Sequence, residues 1–328
     1  CSEEYRMKTV LACWCTVACC WLMTAAWAAP DAAEQFAARR AAYLAEFARR
    51  PLEARQNPQT WVDSERWCVA HACLEQDVRL DEANAYFSTV AFVSLWHGLV
   101  ADTDVQITDL LWSYLRFRTS PRMTPAARAH LRQLFLAWQV PNRDRNGNAD
   151  QAYQWPSDYT ENHSLNILAA AYLIDVVCER DRAAHRRLLL KFLADRARLG
   201  WSEFYSPSYG IVTGKALALL AATAPDRAVA DAARFLLDIL AIDFANAGLG
   251  CWRGMPFARG YGSEINNAFN SYYELARLWF GDPQQTTFSG GPFLVHLLTN
   301  GYAPPEAARR LLADLPARGR YEATSTAT

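Results

Sequence analysis

The chain has little lysine and no excess of charge of either sign. Only three lysines (Lys8, Lys191 and Lys215) occur in 328 residues, and 33 Lys+Arg against 34 Asp+Glu give a formal net charge of -1. No Lys/Arg-rich block is present, which excludes the electrostatic footprint of a nucleic-acid-binding protein. With 52% apolar or aromatic and 20% charged residues, the chain is not disordered. We therefore expect a globular protein with a sizeable core that binds a small ligand and no nucleic acid.

Metal-binding spacings are also missing, since the sequence contains no CxxC pair and no HxxxH pair. We therefore expect neither a metal nor another cofactor. Beyond the first thirty residues the chain keeps four cysteines, Cys68, Cys73, Cys178 and Cys251. An even number permits two disulfides in an oxidising compartment, and a Cys68–Cys73 bridge would close a short loop. Buried free thiols in a helical core are the alternative.

The N-terminus has the form of a secretory signal peptide. Met7 and Lys8 precede an uncharged run over residues 9–30 that contains Ala26-Trp27-Ala28, which predicts cleavage after Ala28. We expect a periplasmic or secreted protein, with an uncleaved membrane anchor or a lipid anchor at Cys19 as the alternative. The predicted organisation is upstream sequence over residues 1–6, a leader over 7–28, one domain over 29–320 and a tail over 321–328.

Apolar residues after position 30 recur at helical spacing and not at the alternating spacing of strands, which predicts an all-α fold. Thr124-Pro125, Asp181 and Asp226 are predicted helix starts. Short turns that alternate with longer loops are typical of antiparallel helical hairpins closed into an α/α toroid, here a complete or incomplete six-hairpin barrel. An open α-solenoid is the alternative. The predicted helices cover residues 31–49, 64–78, 82–100, 104–118, 125–139, 162–179, 182–198, 208–222, 226–246, 263–280, 291–299 and 305–314.

Three long connections, over residues 141–160, 200–208 and 247–262, are unusual for a compact helical domain, and such loops usually carry function. Each mixes tryptophan and tyrosine with charged or amide side chains, which suits stacking on a polar ligand and hydrogen bonding to it. Because hairpins alternate in direction, we expect the three loops at one end of the fold. The predicted substrate-binding residues are Trp155, Tyr159, Glu161, Trp201, Tyr205, Trp252, Arg253 and Tyr261.

A polar cluster opens the apolar helix that is predicted to begin at residue 162. Thr160 is the predicted N-cap, Asn162 offers an amide donor to a carboxylate, and His163 suits proton transfer near neutral pH. A cap and a core hydrogen bond are the alternative for these side chains.

The two later loops carry further groups for acid–base chemistry and for binding an anion. Glu203 is a candidate acid, base or orienting group, and Tyr205 or Tyr209 is a candidate proton donor. Arg253 and Arg259 stand next to glycines and are candidate contacts for a carboxylate. Turn, cap and solvent-exposed positions are the alternative for these residues.

Together these residues resemble the polysaccharide lyases built on α/α toroids, especially alginate lyases whose helix opens with Asn-Asn-His. The likeness covers about residues 159–222, and Glu161 stands where those lyases have a second asparagine. The resemblance implies that Asn162 neutralises a uronate carboxylate and that His163 and Tyr209 handle the protons at C5 and at the leaving oxygen. It also implies an arginine, Arg253 or Arg259, at the anion.

The expected function is β-elimination on an acidic, uronate-containing polysaccharide. Removing a proton beside a carboxylate builds charge on it, so neutral or cationic donors must meet it while a base waits near the carbon. Glycoside hydrolysis in a six-hairpin fold, with Glu161 and Glu203 as the two carboxylates, is one alternative. A glycan-binding protein without catalysis is another. The expected partner is a polysaccharide or oligosaccharide, with no membrane beyond an uncleaved N-terminal anchor.

Overall fold

The computed structural model describes residues 32–52, 64–91, 103–138, 160–201, 206, 209–249, 252–253, 271–281 and 294–318. These residues are largely helical, which confirms the all-α prediction. The only strands among them are two antiparallel pieces of two residues each. The elements are α1 (Ala32–Ala48), α2 (Ser64–Gln76), α3 (Leu80–Phe87), α4 (Thr103–Phe117), α5 (Pro125–Ala137), α6 (Glu161–Val177), α7 (Ala183–Leu199), α8 (Tyr209–Thr223), α9 (Arg227–Ala247), β1 (Gly248–Leu249), β2 (Trp252–Arg253), α10 (Ser271–Phe280), α11 (Leu294–Thr299) and α12 (Glu306–Arg318).

The predicted helix starts at Thr124 and Asp226 are confirmed, whereas α7 begins at Ala183 with Arg182, one residue after the predicted Asp181, at the N-cap position. The Thr124 hydroxyl accepts a hydrogen bond from the backbone N–H of Ala127, and Pro125 occupies the first turn of α5. Asp181 and Asp226 each accept a backbone N–H two residues ahead, at 2.9 Å. Each side chain thus satisfies a donor that the helix leaves without an intrahelical partner.

The helix predicted over residues 82–100 is wrong at both ends, because α3 begins at Leu80 and ends at Phe87. The hydroxyls of Ser88 and Thr89 donate to backbone carbonyls of the last turn, at 2.7 Å and 3.0 Å. Polar side chains that satisfy terminal carbonyls compete with continuation of the helix. The remainder of that prediction, residues 92–100, lies outside the described residues.

Helices α2 and α4 run side by side in the same direction. Near their starts the Trp67 indole donates to Asp109 at 2.9 Å, and near their ends the Arg116 guanidinium donates to Glu75 at 2.7 Å. Helices α4 and α6 are also parallel, because Asp104 contacts His163 at their starts and Thr108 donates to Asn166 at 2.8 Å one turn further on. The starts of α2, α4 and α6 therefore lie at one end of the fold, which we call the site end.

Helices α6 and α7 form an antiparallel hairpin. At the site end Arg196, near the end of α7, pairs with Glu161, the first residue of α6. At the opposite end His185, near the start of α7, contacts Asp175 at 2.5 Å. The long helices α6 and α7 are therefore clamped by side-chain pairs at both ends.

Helix α8 returns alongside α6 and runs parallel to it. Arg186, at the start of α7, pairs with Asp226, which lies between α8 and α9. The end of α8 therefore lies opposite the site end, and its start lies at the site end. Since α9 leads back from Asp226, its last residues and β1 also come to the site end. The described residues that flank the three long connections thus share one end.

The core is built where the helices pack in succession. Helix α2 packs on α4, α4 on α6 and α8, α6 on α8, α8 on α11, and α11 on α2. Helices α3, α5, α7 and α9 pack against members of this group, and α12 packs on α9. Among the described residues, no helix is both long and apolar enough to cross a membrane. The largest fully buried side chains include Trp67, Tyr43, Tyr172, Phe47, Phe87 and Phe135.

Helix α1 departs from the predicted hairpin alternation, because its carboxyl end lies beside the carboxyl end of α2. Arg79, just after α2, donates to the carbonyls of Ala48 and Arg50 at 3.0 Å and 2.8 Å. The buried Arg39 donates from α1 to the carbonyls of Leu278 and Trp279 at the end of α10. Arginine side chains therefore satisfy the last carbonyls of α1 and α10.

The Cys68–Cys73 disulfide considered from the sequence is wrong, since both residues are free cysteines. Five residues along one helix turn the two side chains about 140° apart. The Cys68 thiol lies 3.5 Å from the His296 ring, whereas the Cys73 thiol donates to the Ala48 carbonyl. Both are buried thiols of a helical core, which is the other interpretation that the sequence left open; Cys178 is also free.

Candidate functional site

An Asp–His pair joins the starts of α4 and α6 at the site end. His163 Nδ1 lies 3.0 Å from one carboxylate oxygen of Asp104 and 3.2 Å from the other. The Asp104 side chain is 3% exposed and that of His163 is 24% exposed. A carboxylate only accepts hydrogen bonds, so this contact assigns the proton to Nδ1 and makes Nε2 the basic ring atom. The arrangement is that of an oriented imidazole base.

Asn162 is buried beside this pair and holds the start of α6 together. Its amide donates to the Thr160 hydroxyl at 3.1 Å, and its backbone carbonyl accepts from Asn166 at 2.8 Å. Thr160 has the extended backbone of an N-cap, as predicted, but its hydroxyl makes no capping bond to the helix backbone. The Thr160 hydroxyl accepts its hydrogen bond from the Asn162 side-chain amide and not from a backbone N–H.

Glu161 is ion-paired to Arg196 of α7. The two side chains are 12% and 18% exposed, so the pair is largely shielded from water. Behind it, the Arg196 guanidinium lies 5.8 Å from the Phe192 ring centre, and the Trp201 ring lies 6.4 Å from the same ring. Glu161 and Trp201 therefore both contact side chains of α7.

Tyr209 begins α8 at the same end as His163. Its backbone N–H donates to the hydroxyl of the buried Ser206 at 3.3 Å, and Gly210 N–H donates to the Ser206 carbonyl. The hydroxyl and the carbonyl of Ser206 therefore each accept a backbone N–H from the start of α8. Helices α6 and α8 pack together, which places Tyr209 and His163 in the first turns of neighbouring parallel helices.

The remaining predicted site residues belong to the long loops. The described part of the chain includes Trp252 and Arg253 only as backbone, in β2, which pairs with β1. The other predicted residues lie outside the described residues: Trp155, Tyr159, Glu203, Tyr205, Arg259 and Tyr261.

Sequence reasoning missed a buried ion pair beneath the Asp–His pair. Lys215 of α8 is 1% exposed, and its ammonium lies 2.7 Å from Asp109 Oδ1 and 3.1 Å from the Val105 carbonyl. Burial raises the pKa of the Asp109 carboxyl, while the Lys215 ammonium opposes that rise. A lone lysine within an otherwise apolar helix was the available signal, because a buried charge requires a partner.

Two buried histidines extend this polar cluster into α2 and α11. His71 lies 2.9 Å from the Ser113 hydroxyl and 3.0 Å from the Thr299 hydroxyl. His296 Nδ1 lies 3.3 Å from Asp109 Oδ1. Burial lowers the pKa of both histidines well below the usual value. Both imidazoles are therefore neutral parts of the core at neutral pH.

Cys68, Asp109 and His296 form a group of metal-ligand type in the described residues, with ligand atoms within 4.8 Å of one another. The three residues come from three different helices, α2, α4 and α11, so sequence spacing does not predict that they lie together. The Lys215 ammonium already occupies the Asp109 oxygen that faces His296. A cation would have to compete with this ammonium in the dry core, so the arrangement favours an ion-paired cluster over a metal centre.

The site end thus carries one partly exposed imidazole, fixed by a buried carboxylate, beside a tyrosine and a shielded Glu–Arg pair. This is a set for moving protons, held by the first turns of three parallel helices. Comparisons of the chain with models of known protein families, with curated proteins and with solved structures find no match.

Proposed function

We propose that this protein is a secreted polysaccharide lyase that cleaves an acidic, uronate-containing glycan by β-elimination at the site end. The observation that carries the proposal is the His163–Asp104 pair, which leaves Nε2 as the basic atom of a partly exposed imidazole. β-Elimination needs such a base beside the carbon that loses its proton. The leader-like N-terminus supports an extracellular or periplasmic substrate.

In the proposed reaction, His163 Nε2 takes the proton at C5, next to the uronate carboxylate. The electron pair of that C–H bond forms the C4=C5 double bond, the C4–O bond breaks, and the leaving oxygen receives a proton from Tyr209. Asp104 stabilises the imidazolium that forms. Asn162 is buried and holds the helix start, so Arg253 or Arg259 is assigned to the carboxylate.

The proposal includes the α/α toroid as the architecture. The succession of contacts from α2 through α4, α6 and α8 to α11, and from α11 back to α2, supports a closed array. The parallel course of α2, α4, α6 and α8 supports it as well, because the inner helices of a toroid share one direction. The cleft would lie at the site end, where described residues that flank the three aromatic connections lie.

Glu161 distinguishes the lyase from the glycoside hydrolase. A hydrolase needs one carboxyl group that is protonated before it donates to the leaving oxygen. Glu161 is instead paired with Arg196 in a shielded contact, and an adjacent guanidinium favours the ionised carboxylate. This contact favours elimination by His163 over acid catalysis by Glu161.

The test is a panel of acidic and neutral polysaccharides, followed by two assays: ultraviolet absorbance of unsaturated uronates and release of reducing ends. A lyase raises both signals. Reducing ends without new absorbance would indicate hydrolysis, and binding without either signal would indicate a glycan-binding protein.

The matched pair of variants is His163→Ala and His185→Ala. Each variant removes an imidazole that contacts an aspartate. His163 lies at the start of α6, whereas His185 contacts the opposite end of that helix. We expect loss of at least about 10²-fold in turnover for His163→Ala, the scale of positioned proton transfer, and normal turnover for His185→Ala. Full activity of His163→Ala would refute the assignment of the base.

A further inference from the structure

Lys215 of α8 reaches through the core to the first turn of α4. It donates to the Val105 carbonyl at 3.1 Å and pairs with Asp109 at 2.7 Å. Val105 directly follows Asp104 in the chain. We propose that Lys215 is a positioning residue that fixes the first turn of α4 and thereby holds Asp104 against His163. The inference rests on the proposed function for its catalytic meaning.

The two bonds of Lys215 lie four residues apart on α4, which is about one helical turn. A side chain that binds two successive turns fixes both the rotation and the axial position of that helix end. Asp104 directly precedes Val105 in the first turn of α4, so the Asp104 carboxylate moves with the turn that Lys215 binds. His163 comes from a different helix, α6, and its contact with Asp104 depends on that placement.

Asp109 itself is anchored from two further helices. The Trp67 indole of α2 donates to Asp109 Oδ2 at 2.9 Å, and His296 of α11 lies 3.3 Å from Oδ1. Together with these contacts, the Lys215–Asp109 pair therefore fixes the start of α4 relative to α2, α8 and α11. No bulk water competes, because both side chains are almost completely buried.

The energetics point to positioning and not to stability. A buried ion pair gives little net stability over well-packed apolar residues of similar size, since two charges must be desolvated. An apolar residue at position 215 would suit the surrounding apolar helix better. What the ammonium adds is a directed bond to the Val105 carbonyl, which no apolar side chain can make.

A second contact between α4 and α6 is separate from Lys215. Thr108 donates to Asn166 at 2.8 Å, one turn below the Asp–His pair. This bond keeps the two helices together when Lys215 is changed. A Lys215 variant is therefore expected to keep the packing of α4 on α6 while the first turn of α4 loses its fixed orientation.

The experiment compares the wild type with Lys215→Met/Asp109→Asn, which removes both charges of the pair together, and with Lys215→Met alone. Tyr302→Phe is the control, because it removes another buried bond to a backbone carbonyl, that of Leu237 on α9. The readout is the ¹⁵N chemical shifts of the His163 ring at pH 8, which report whether Nδ1 or Nε2 carries the proton.

We expect the Nδ1–H form in the wild type and in Tyr302→Phe, and a larger Nε2–H population in the folded double variant. Lyase turnover should fall about 10²-fold in the double variant with KM unchanged, as for a base misplaced by about 1 Å. A folded double variant with wild-type ring shifts would overturn the inference. The ring measurement needs no substrate, so a wild type without lyase activity would refute the proposed function alone.

Discussion

Replacing Asp104 by asparagine tests the role of the Asp–His pair with a single oxygen-to-NH₂ exchange. In the wild type both carboxylate oxygens lie 3.0–3.2 Å from His163 Nδ1, so the ring proton belongs there. An amide can turn its NH₂ group toward Nδ1 and donate to it. Nδ1 then accepts, the proton moves to Nε2, and the atom that should take the substrate proton is blocked.

The expected loss of turnover is about 10²- to 10⁴-fold, the contribution of a positioned base in proton transfer. The expected cost in stability is small by comparison. Asp104 lies in the first turn of α4, and a negative charge there stabilises a helix by about 0.3–1 kcal/mol. Turnover should therefore fall by much more than stability does.

Asp175→Asn is the matched control, since Asp175 contacts His185 at 2.5 Å at the far end of α6. The assay is the rate of unsaturated uronate formation, measured beside the urea midpoint of each variant. We expect Asp104→Asn to lose turnover with its urea midpoint nearly unchanged, and Asp175→Asn to keep turnover. Equal rates for the wild type and a folded Asp104→Asn would show that the orientation of His163 is not needed.

Two predictions concern the core. In the folded protein His71 and His296 are neutral, because burial holds their pKa values well below 6.5. In the unfolded chain both imidazoles bind protons near pH 6.5. Their contribution to stability is therefore present above that pH and is lost as the pH falls below it. We expect the free energy of unfolding to drop by up to about 1.4 kcal/mol per pH unit for each histidine, as urea titrations at pH 8 and pH 5 would measure; a flat profile that His71→Gln does not alter would contradict this. Phe87→Ala should lower the free energy of unfolding by about 3–5 kcal/mol, because the ring is fully buried. Phe235 is 53% exposed, so Phe235→Ala should change the free energy of unfolding by less than about 0.5 kcal/mol. Similar urea midpoints for the two variants would refute the packing argument.

Helices were predictable from the sequence because their signals are local. Apolar spacing and the side chains at Thr124, Asp181 and Asp226 mark helices whatever the rest of the chain does. The extent of α3 was missed because Ser88 and Thr89 bond to the last carbonyls of the helix, which apolar spacing does not register. The direction of α1 was missed because the alternation of hairpins is a tertiary rule. The connection between α1 and α2 is long enough to return along the fold.

The candidate site was predictable only in its exposed half. His163 stands in a polar cluster that opens an apolar helix, so the sequence marks it. Asp104 lies 59 positions away, and nothing near it in the sequence names its partner. Lys215 was visible as a charge in an apolar segment, but only packing shows that Asp109 and the Val105 carbonyl receive it. Local patterns thus indicate the candidate imidazole, and packing identifies the side chains that orient it.

The bonds from Arg39 to the end of α10 span about 240 positions of the chain. During synthesis, α1 emerges about 240 residues before its partner carbonyls. The helices from α1 to α9 can pair locally in the meantime, while the Arg39 guanidinium stays hydrated until α10 arrives. Contacts of such long sequence separation form slowly, so we expect joining of the two terminal regions to be the last event of folding and the step most exposed to aggregation.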